Sequence, residues 1–291
     1  MAFIKLNYNK AGKGIEKNQQ EKNVFLTYFG LYKRSFFRLM KANMLYSLAS
    51  IPMIVILGII FTMFVYPYIE PALMDLTTAA KNVASEQVAA TYLGTVTGMF
   101  VVVVLLLMGS GPASAYFAHI SKGLTTDEHV WIWSDFKSKM RENFKQGIIV
   151  SIIDIVVLIC VINSLIVYST MHQNTGSALY LVLFFIVGAF FVLYTLIHSF
   201  LYQMMVTFEN KLRILYKNAL ILTIAKLPQV LCLTILPALI SYYIFSYITP
   251  VLAALLIFLV WISLARFPME FFAARTVKKI IDGEKGKGQD E

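Results

Sequence analysis

Two ionisable side chains lie inside long apolar stretches of this 291-residue sequence. Asp154 comes about eight residues into one hydrophobic stretch, and His198 precedes Glu209 by about eleven residues near the end of the next one. A charged residue inside a membrane span costs roughly 2.5–3.5 kcal/mol on insertion scales, so it is almost always paired or turned toward the protein interior. We therefore predict that Asp154 and His198 face each other across neighbouring helices. The sequence leaves open whether this intramembrane polar pair is functional or a packing contact.

A second group of acids and a histidine lies near the middle of the chain: Asp127, Glu128, His129 and Asp135. Such residues can bind a metal or transfer protons, but their spacing matches no ligand pattern of the HExxH type. Residues 125–128, Thr-Thr-Asp-Glu, are typical of a helix start with acids in its first turn. We therefore expect no metal and no cofactor. Because the sequence also lacks a phosphate-binding loop and a nucleophile elbow, we expect the chain not to be an enzyme.

These acids belong to a polar bridge, residues 109–146, which connects two hydrophobic stretches. Connections between neighbouring helices are usually about 2–8 residues long, so a bridge of this size is expected to be a structured element. We expect its aromatic side chains (Trp131, Trp133 and Phe136) to pack against the helix ends and its charged side chains to point into the cytoplasm. Anchoring of the tryptophans in the headgroup layer is equally expected, and stacking on a sugar is the alternative. The candidate residues for docking a partner are Trp131, Trp133, Asp135, Lys137, Lys139 and Asn143.

The composition of the chain indicates that membrane-spanning helices hold these residues. The chain is 58% hydrophobic and 14% charged, whereas a soluble domain carries about 25% charged residues. A membrane-spanning helix needs about 20 apolar residues, and the apolar stretches have that length. We therefore predict an all-α, polytopic transmembrane bundle of six spans, in a membrane domain at residues 24–279. The predicted spans are residues 42–68, 89–108, 147–170, 177–206, 227–247 and 249–265, with bridges at 109–146 and 207–226 and disordered tails at 1–23 and 280–291.

Positive charge is distributed unevenly along the chain. Of the 25 lysines and arginines, all but Lys81 lie before the first span, in the two bridges or after the last span. Positively charged segments stay in the cytoplasm, so we expect both termini and both bridges to be cytoplasmic. Attraction to the lipid bilayer then accounts for the net charge of +9, and no nucleic-acid partner is expected.

A similar phrase precedes three of the apolar runs: Lys41-Ala42-Asn43, Arg141-Glu142-Asn143 and Lys217-Asn218. The pattern indicates three repeated helical hairpins, an arrangement that in transporters encloses a central site. The alternative is that Lys, Arg and Asn simply mark the point where any helix leaves the cytoplasm. The first phrase follows a basic amphipathic segment, residues 24–41, which is suited either to the membrane interface or to a cytoplasmic surface.

Three phrases stand out in the first bridge: Gly111-Pro112-Ala113, the run His129-Val-Trp-Ile-Trp-Ser-Asp-Phe136, and Asn143-Phe-Lys-Gln146. Through these phrases the bridge resembles the YesL-like family of bacterial integral membrane proteins. The resemblance extends over about residues 31–279. Residues 116–119, Tyr-Phe-Ala-His, depart from the family pattern, in which smaller residues are expected.

The resemblance implies a protein of the bacterial plasma membrane without an established biochemical activity. Members of the family tend to be encoded beside components of sugar ABC transporters. The chain is therefore expected to be an accessory or regulatory component of carbohydrate uptake, acting by contact with ABC-transporter components. The alternative is a small-solute transporter in its own right, with a site between the three hairpins.

Overall fold

A computed structural model of the chain describes residues 24–68, 96–98, 100–105 and 107–287, and within these ranges all regular structure is helical. This confirms the predicted all-α class. The helices are α1 (Val24–Ala49), α2 (Ile51–Ile60, continued by a π-helical turn at Phe61–Val65), α3 (Val96–Leu105), α4 (Pro112–Thr125), α5 (Ile132–Glu142), α6 (Phe144–Thr175), α7 (Ala178–Met205), α8 (Leu212–Ala225), α9 (Leu227–Tyr247), α10 (Pro250–Leu256) and α11 (Ile262–Lys287), with a π-helical turn at Ile257–Trp261 between the last two.

Five helical segments of the described chain are long and apolar enough to cross a membrane, as expected for a multi-pass membrane protein. They are Ile51–Tyr68, Phe144–Thr175, Ala178–Met205, Leu227–Phe245 and Val251–Asp282. The predicted second span, residues 89–108, lies partly outside the described residues. Its described part, α3, places Val104 and Leu105 in one apolar cluster with Leu57 of α2 and Leu158 of α6. The count of six spans stays a prediction.

The first predicted span, residues 42–68, is divided between two helices. α1 continues to Ala49, and after the turn residue Ser50 the apolar helix begins at Ile51. Proline is tolerated in the first turn of a helix because its missing N–H would have no partner there, and Pro52 occupies that turn of α2. The membrane-crossing segment therefore starts later than predicted.

The other boundaries show one clear error. The fourth and fifth predicted spans agree with α7 and α9 within one residue at each end, and α6 extends the third span at both ends. The predicted disordered tail at 280–291 is wrong, because α11 continues to Lys287. This helix packs against α4 and α7 instead of leaving the bundle. Residues 1–23 and 288–291 lie outside the described residues, so the other tail prediction is untested.

α4 is the centre of the molecule, although the sequence assigned it to a connecting bridge. Most of its fourteen residues are buried, between α1, α6, α7 and α11. Gly109 and Gly111 precede it with φ of +86° and +60°, a backbone region that glycine enters without steric cost. A Cβ on Gly147, at the start of α6, would lie 2.6 Å from the backbone nitrogen of Pro112. Small residues therefore let α4 enter the core beside the longer helices.

The described chain shows a repeated order of helices, while the three repeated hairpins stay a prediction. α1, α5 and α8 each precede an apolar helix, from which a single residue separates them: Ser50, Asn143 and Lys226. The asparagines of the three sequence phrases do not share a role. Asn43 donates to two carbonyls of the π-helical turn between α10 and α11, whereas Asn143 donates to a carbonyl of α5. The repetition therefore lies in helix order and not in equivalent asparagine contacts.

The two predicted bridges meet at one end of the bundle. Gln146 Nε2 at the start of α6 donates to the carbonyl of Asn210, just before α8, at 3.1 Å. This end, which carries α4, α5 and α8, is the basic end. α7 is mostly buried over residues 195–205 and mostly exposed over residues 178–190, so the tightly packed core lies at the basic end.

Candidate functional site

Asp154 and His198 face each other inside the bundle, which confirms the predicted pairing. His198 Nε2 lies 2.9 Å from Asp154 Oδ1, and the Tyr194 hydroxyl donates to the same oxygen at 2.6 Å. Asp154 is on α6, while Tyr194 and His198 lie one turn apart on α7. Asp154 is 1% exposed and His198 is 2% exposed. The two helices are therefore joined by a polar contact that neither lipid nor bulk water reaches.

One buried oxygen of this pair, Asp154 Oδ2, has no hydrogen-bond partner among the described residues. Tyr216 comes from α8, and its ring centroid is 6.4 Å from that of His198. Burial, reinforced by the Asp154 carboxylate, raises the pKa of Tyr216, so this hydroxyl keeps its proton. α8 thus places a protonated tyrosine beside the polar pair, which the sequence pattern did not indicate.

A buried ion pair on α11 was also missed by the sequence analysis. Arg266 Nη2 lies 3.2 Å from Glu270 Oε1, one helical turn away, and both side chains are buried. Gln203 of α7 donates to Glu270 Oε2 and to the carbonyl of Ala118 in α4. Breaking a buried ion pair by removing one partner costs about 3–5 kcal/mol, because the other charge is left uncompensated. These contacts therefore fasten α11 to α7 and α4.

Arg266 also holds the first helix in place. Its Nη1 donates to the Tyr46 hydroxyl and to Ser114 Oγ, each at 3.0 Å. The guanidinium lies 5.5 Å from the ring centroid of Tyr46 and 5.9 Å from that of Phe117, within cation–π range. Arginine after an apolar run normally indicates a cytoplasmic segment, which is how the sequence analysis treated it. Glu270, four residues later in an aromatic stretch, is a candidate ion-pair partner in the sequence, but this spacing is equally typical of an exposed pair.

A cavity of about 30 Å³ connects the two polar groups. It lies between α7, α9 and α11 and is lined by His198, Arg266, Glu270, Ser199 and Thr234. This volume exceeds the roughly 10–15 Å³ that a cavity needs to hold a water molecule. Pockets for small organic ligands are roughly 300–1,000 Å³. The cavity therefore fits water and excludes a sugar.

The predicted packing of Trp131 and Trp133 against the helix ends is wrong. Trp131 and Trp133 are 66% and 59% exposed and do not pack under the bundle. Phe136 alone of the three aromatic residues turns inward, edge-on to Tyr116 of α4 with ring centroids 5.0 Å apart. α5 is short and buries one face, so the helical period places Trp133 and Lys137 on another face. Lys137 Nζ lies 5.1 Å from the centroid of the Trp133 ring.

Asp135, Lys139 and Asn143 form contacts within or beside α5, and their predicted roles as partner contacts stay predictions. Asp135 Oδ2 accepts a hydrogen bond from the backbone N–H of Trp131 at 2.9 Å and lies 3.6 Å from His119 Nε2. An acid in the first turn also stabilises a helix through its dipole. Lys139 forms an ion pair within α5, and Asn143 caps its last turn. The candidate docking residues that remain exposed are Trp131, Trp133 and Lys137.

The residues that depart from the family pattern join α4 to α5. The Tyr116 hydroxyl donates to the carbonyl of Ile132 at 3.3 Å. Burial lowers the pKa of His119, and the neighbouring Asp135 carboxylate opposes part of that effect. Burial likewise lowers the pKa of Lys122, against the opposing charge of Glu128. These side chains therefore stabilise the contact between the two helices.

Neither a metal centre nor a known relative assigns a function to these residues. Across the described ranges, no group of three or more His, Cys, Asp or Glu side chains could hold a metal ion. No family model, curated protein or solved structure matches the chain. The resemblance to the YesL-like family therefore stays a prediction, and function has to be inferred from the geometry.

Proposed function

We propose that this chain is an accessory membrane protein that acts by contact with another membrane protein through the exposed side of α5. The observation that carries the proposal is the exposure of Trp131 and Trp133 on a helix whose other side is packed against α4. Tryptophan is enriched among the residues that dominate the binding energy of protein interfaces. Two exposed tryptophans beside Lys137 are therefore suited to binding a partner surface with aromatic or acidic side chains.

The position of α5 determines where in the cell its partner can lie. A single residue, Asn143, separates α5 from the membrane-crossing helix α6, so α5 lies next to the lipid headgroups. A partner that reaches this helix is itself in or on the membrane. We propose that the basic end lies on the cytoplasmic side of the membrane, because the lysines and arginines of both bridges lie there and positive segments stay cytoplasmic. That this membrane is a bacterial plasma membrane is what the resemblance implies.

The partner that fits the sequence resemblance is a component of a sugar ABC transporter, and this part of the proposal rests on the resemblance alone. The small intramembrane cavity supports a contact role over solute carriage, since about 30 Å³ is too little for a sugar. The proposal assigns no catalytic step and no cofactor to the chain.

Affinity purification from native membranes tests the proposal. The wild type is compared with the Trp131→Ala/Trp133→Ala double variant and with Tyr247→Ala, whose side chain is 78% exposed at the other end of the bundle. Loss of one dominant interface tryptophan costs at least about 2 kcal/mol, so we expect the double variant to recover at least roughly tenfold less partner. Tyr247→Ala keeps the wild-type level. Equal recovery with all three proteins would contradict the proposal.

A second candidate function is transport of a small solute or proton, and the Asp154–His198 pair supports it. Ionisable residues inside spans mark ion and proton pathways in many transporters. Flux into proteoliposomes tests this candidate: wild type is expected to conduct and Asp154→Asn to lose flux. Absence of flux with wild-type protein would exclude transport of the solutes offered.

A further inference from the structure

The hydrogen bonds of His198 determine how many protons the polar pair holds. Its Nδ1 lies 3.1 Å from the backbone carbonyl oxygen of Tyr194, and its Nε2 lies 2.9 Å from Asp154 Oδ1. A carbonyl oxygen carries no proton, so Nδ1 must donate to it. One more proton is needed between Nε2 and Oδ1, since two lone pairs would otherwise face each other. That proton belongs to the imidazole in an ion pair or to the carboxyl in a neutral pair.

Either arrangement gives the pair a net charge of zero. Loss of the shared proton would leave one negative charge, in a site where Asp154 is 1% exposed and its Oδ2 has no partner among the described residues. A charge buried in this way is strongly disfavoured unless it is compensated. Arg266, which lines the same cavity as His198, is already paired with Glu270. Loss of the proton is therefore expected to disturb the contact between α6 and α7.

The charged and titratable groups around the pair come from three helices. Tyr194 and Tyr202 face His198 from α7, with ring centroids 5.1 Å and 6.0 Å away, and Tyr216 faces it from α8. From α11, Arg266 and Glu270 face it across the cavity of about 30 Å³ that His198 also lines. This cavity provides a place from which a water molecule can reach the imidazole.

We propose that Asp154 and His198 form a proton-binding site inside the bundle, which holds α6 against α7 while the shared proton is bound. On release, the N–H or O–H bond of the shared proton breaks and water in the cavity accepts the proton as hydronium. The pair then carries one negative charge. The facing lone pairs of Nε2 and Oδ1 repel each other, and α6 separates locally from α7. This inference does not depend on the contact proposed for α5.

NMR spectroscopy of the full chain in lipid nanodiscs, labelled with ¹⁵N-histidine and ¹³C-aspartate, measures the proton count directly. The chain contains four histidines, and His172 is a matched control. His172 Nδ1 also lies near a backbone carbonyl, that of Ser177 at 3.0 Å, but no carboxylate is paired with its ring within the described chain. We therefore expect no proton to be shared between His172 and a carboxyl group.

For the pair, we expect one shared proton at pH 7. When alkaline buffer removes that proton, hydrogen exchange of the α6 amides around Asp154 is expected to accelerate. An ionised Asp154 beside a singly protonated His198 at pH 7 would overturn the proposal. So would retention of the proton up to the alkaline limit of folding, or loss of the proton that leaves α6 exchange unchanged. These wild-type measurements need no variant that has to fold.

Discussion

Replacement of Gly147 by alanine tests the close contact that places α4 in the core. The added Cβ would lie 2.6 Å from the Pro112 nitrogen and 2.9 Å from the Gly111 carbonyl carbon. Both are backbone atoms and cannot rotate away as a flexible side chain could. Since ordinary contacts begin at 3.4 Å, α4 and α6 would have to move apart by about 0.8 Å.

The magnitude follows from two opposing effects. Overpacking of this kind costs about 1–3 kcal/mol, whereas alanine in place of glycine favours a helix by up to about 1 kcal/mol. Gly188→Ala in α7 is the matched control, because its Cβ would meet nothing within 4 Å. It gains helix propensity without overpacking. We therefore expect Gly147→Ala to be less stable than Gly188→Ala by about 1–3 kcal/mol.

Unfolding in mixed micelles by SDS titration, followed by far-ultraviolet circular dichroism, gives both unfolding free energies. The wild type provides the reference for the gain in helix propensity at Gly188. Equal stability of the two alanine variants would refute the close approach of α4 to α6.

Three further predictions concern charges. Glu270→Ala leaves Arg266 buried without its carboxylate, so we expect the unfolding free energy to fall by about 3–5 kcal/mol. Glu142→Ala, in the exposed pair on α5, is the control and is expected to cost less than about 1 kcal/mol. The same SDS titration measures both variants. Because burial lowers the pKa of His119 in the folded state, the unfolded state binds more protons below pH ~6.5, so stability falls with acidification. His119→Gln is expected to reduce this loss between pH 7.5 and 5.5, and a thermal unfolding midpoint with the same pH dependence as wild type would contradict the assignment. A reporter inserted after Asn174 is expected to be external and a C-terminal fusion cytoplasmic, so a cytoplasmic signal at Asn174 would contradict the assigned topology.

The elements that the sequence predicts well are those on which lipid imposes a simple requirement. A span needs about 20 apolar residues, which located α7 and α9 within one residue. A polar group inside a span needs a partner, and this identified the contact between Asp154 and His198 before any coordinates. In both cases the free-energy cost of exposing a polar group to lipid is larger than the differences between local conformations.

The incorrect predictions concern residues that are about equally suited to a buried and to an exposed position. α4 contains Ser114, Ser121 and several small residues, so its hydropathy is that of a connector, although small side chains allow it to be buried. Arg266 has the position of a positive residue that follows a span, and only three-dimensional contacts with Tyr46 and Glu270 show that it is inside. Tryptophan suits a core, an interface or the headgroup layer equally, so the sequence could not determine that it is exposed on α5.

Photo-crosslinking in native membranes from a photoreactive amino acid at position 133 tests whether α5 contacts another membrane protein. The same amino acid at position 247 is the control, since Tyr247 is exposed at the other end of the bundle. If α5 binds a partner, we expect a covalent adduct between position 133 and one defined membrane protein. Position 247 is expected not to form this adduct, and Lys137→Glu is expected to weaken it. Adducts with lipid alone at position 133, or the same protein adducts at both positions, would contradict the proposed contact.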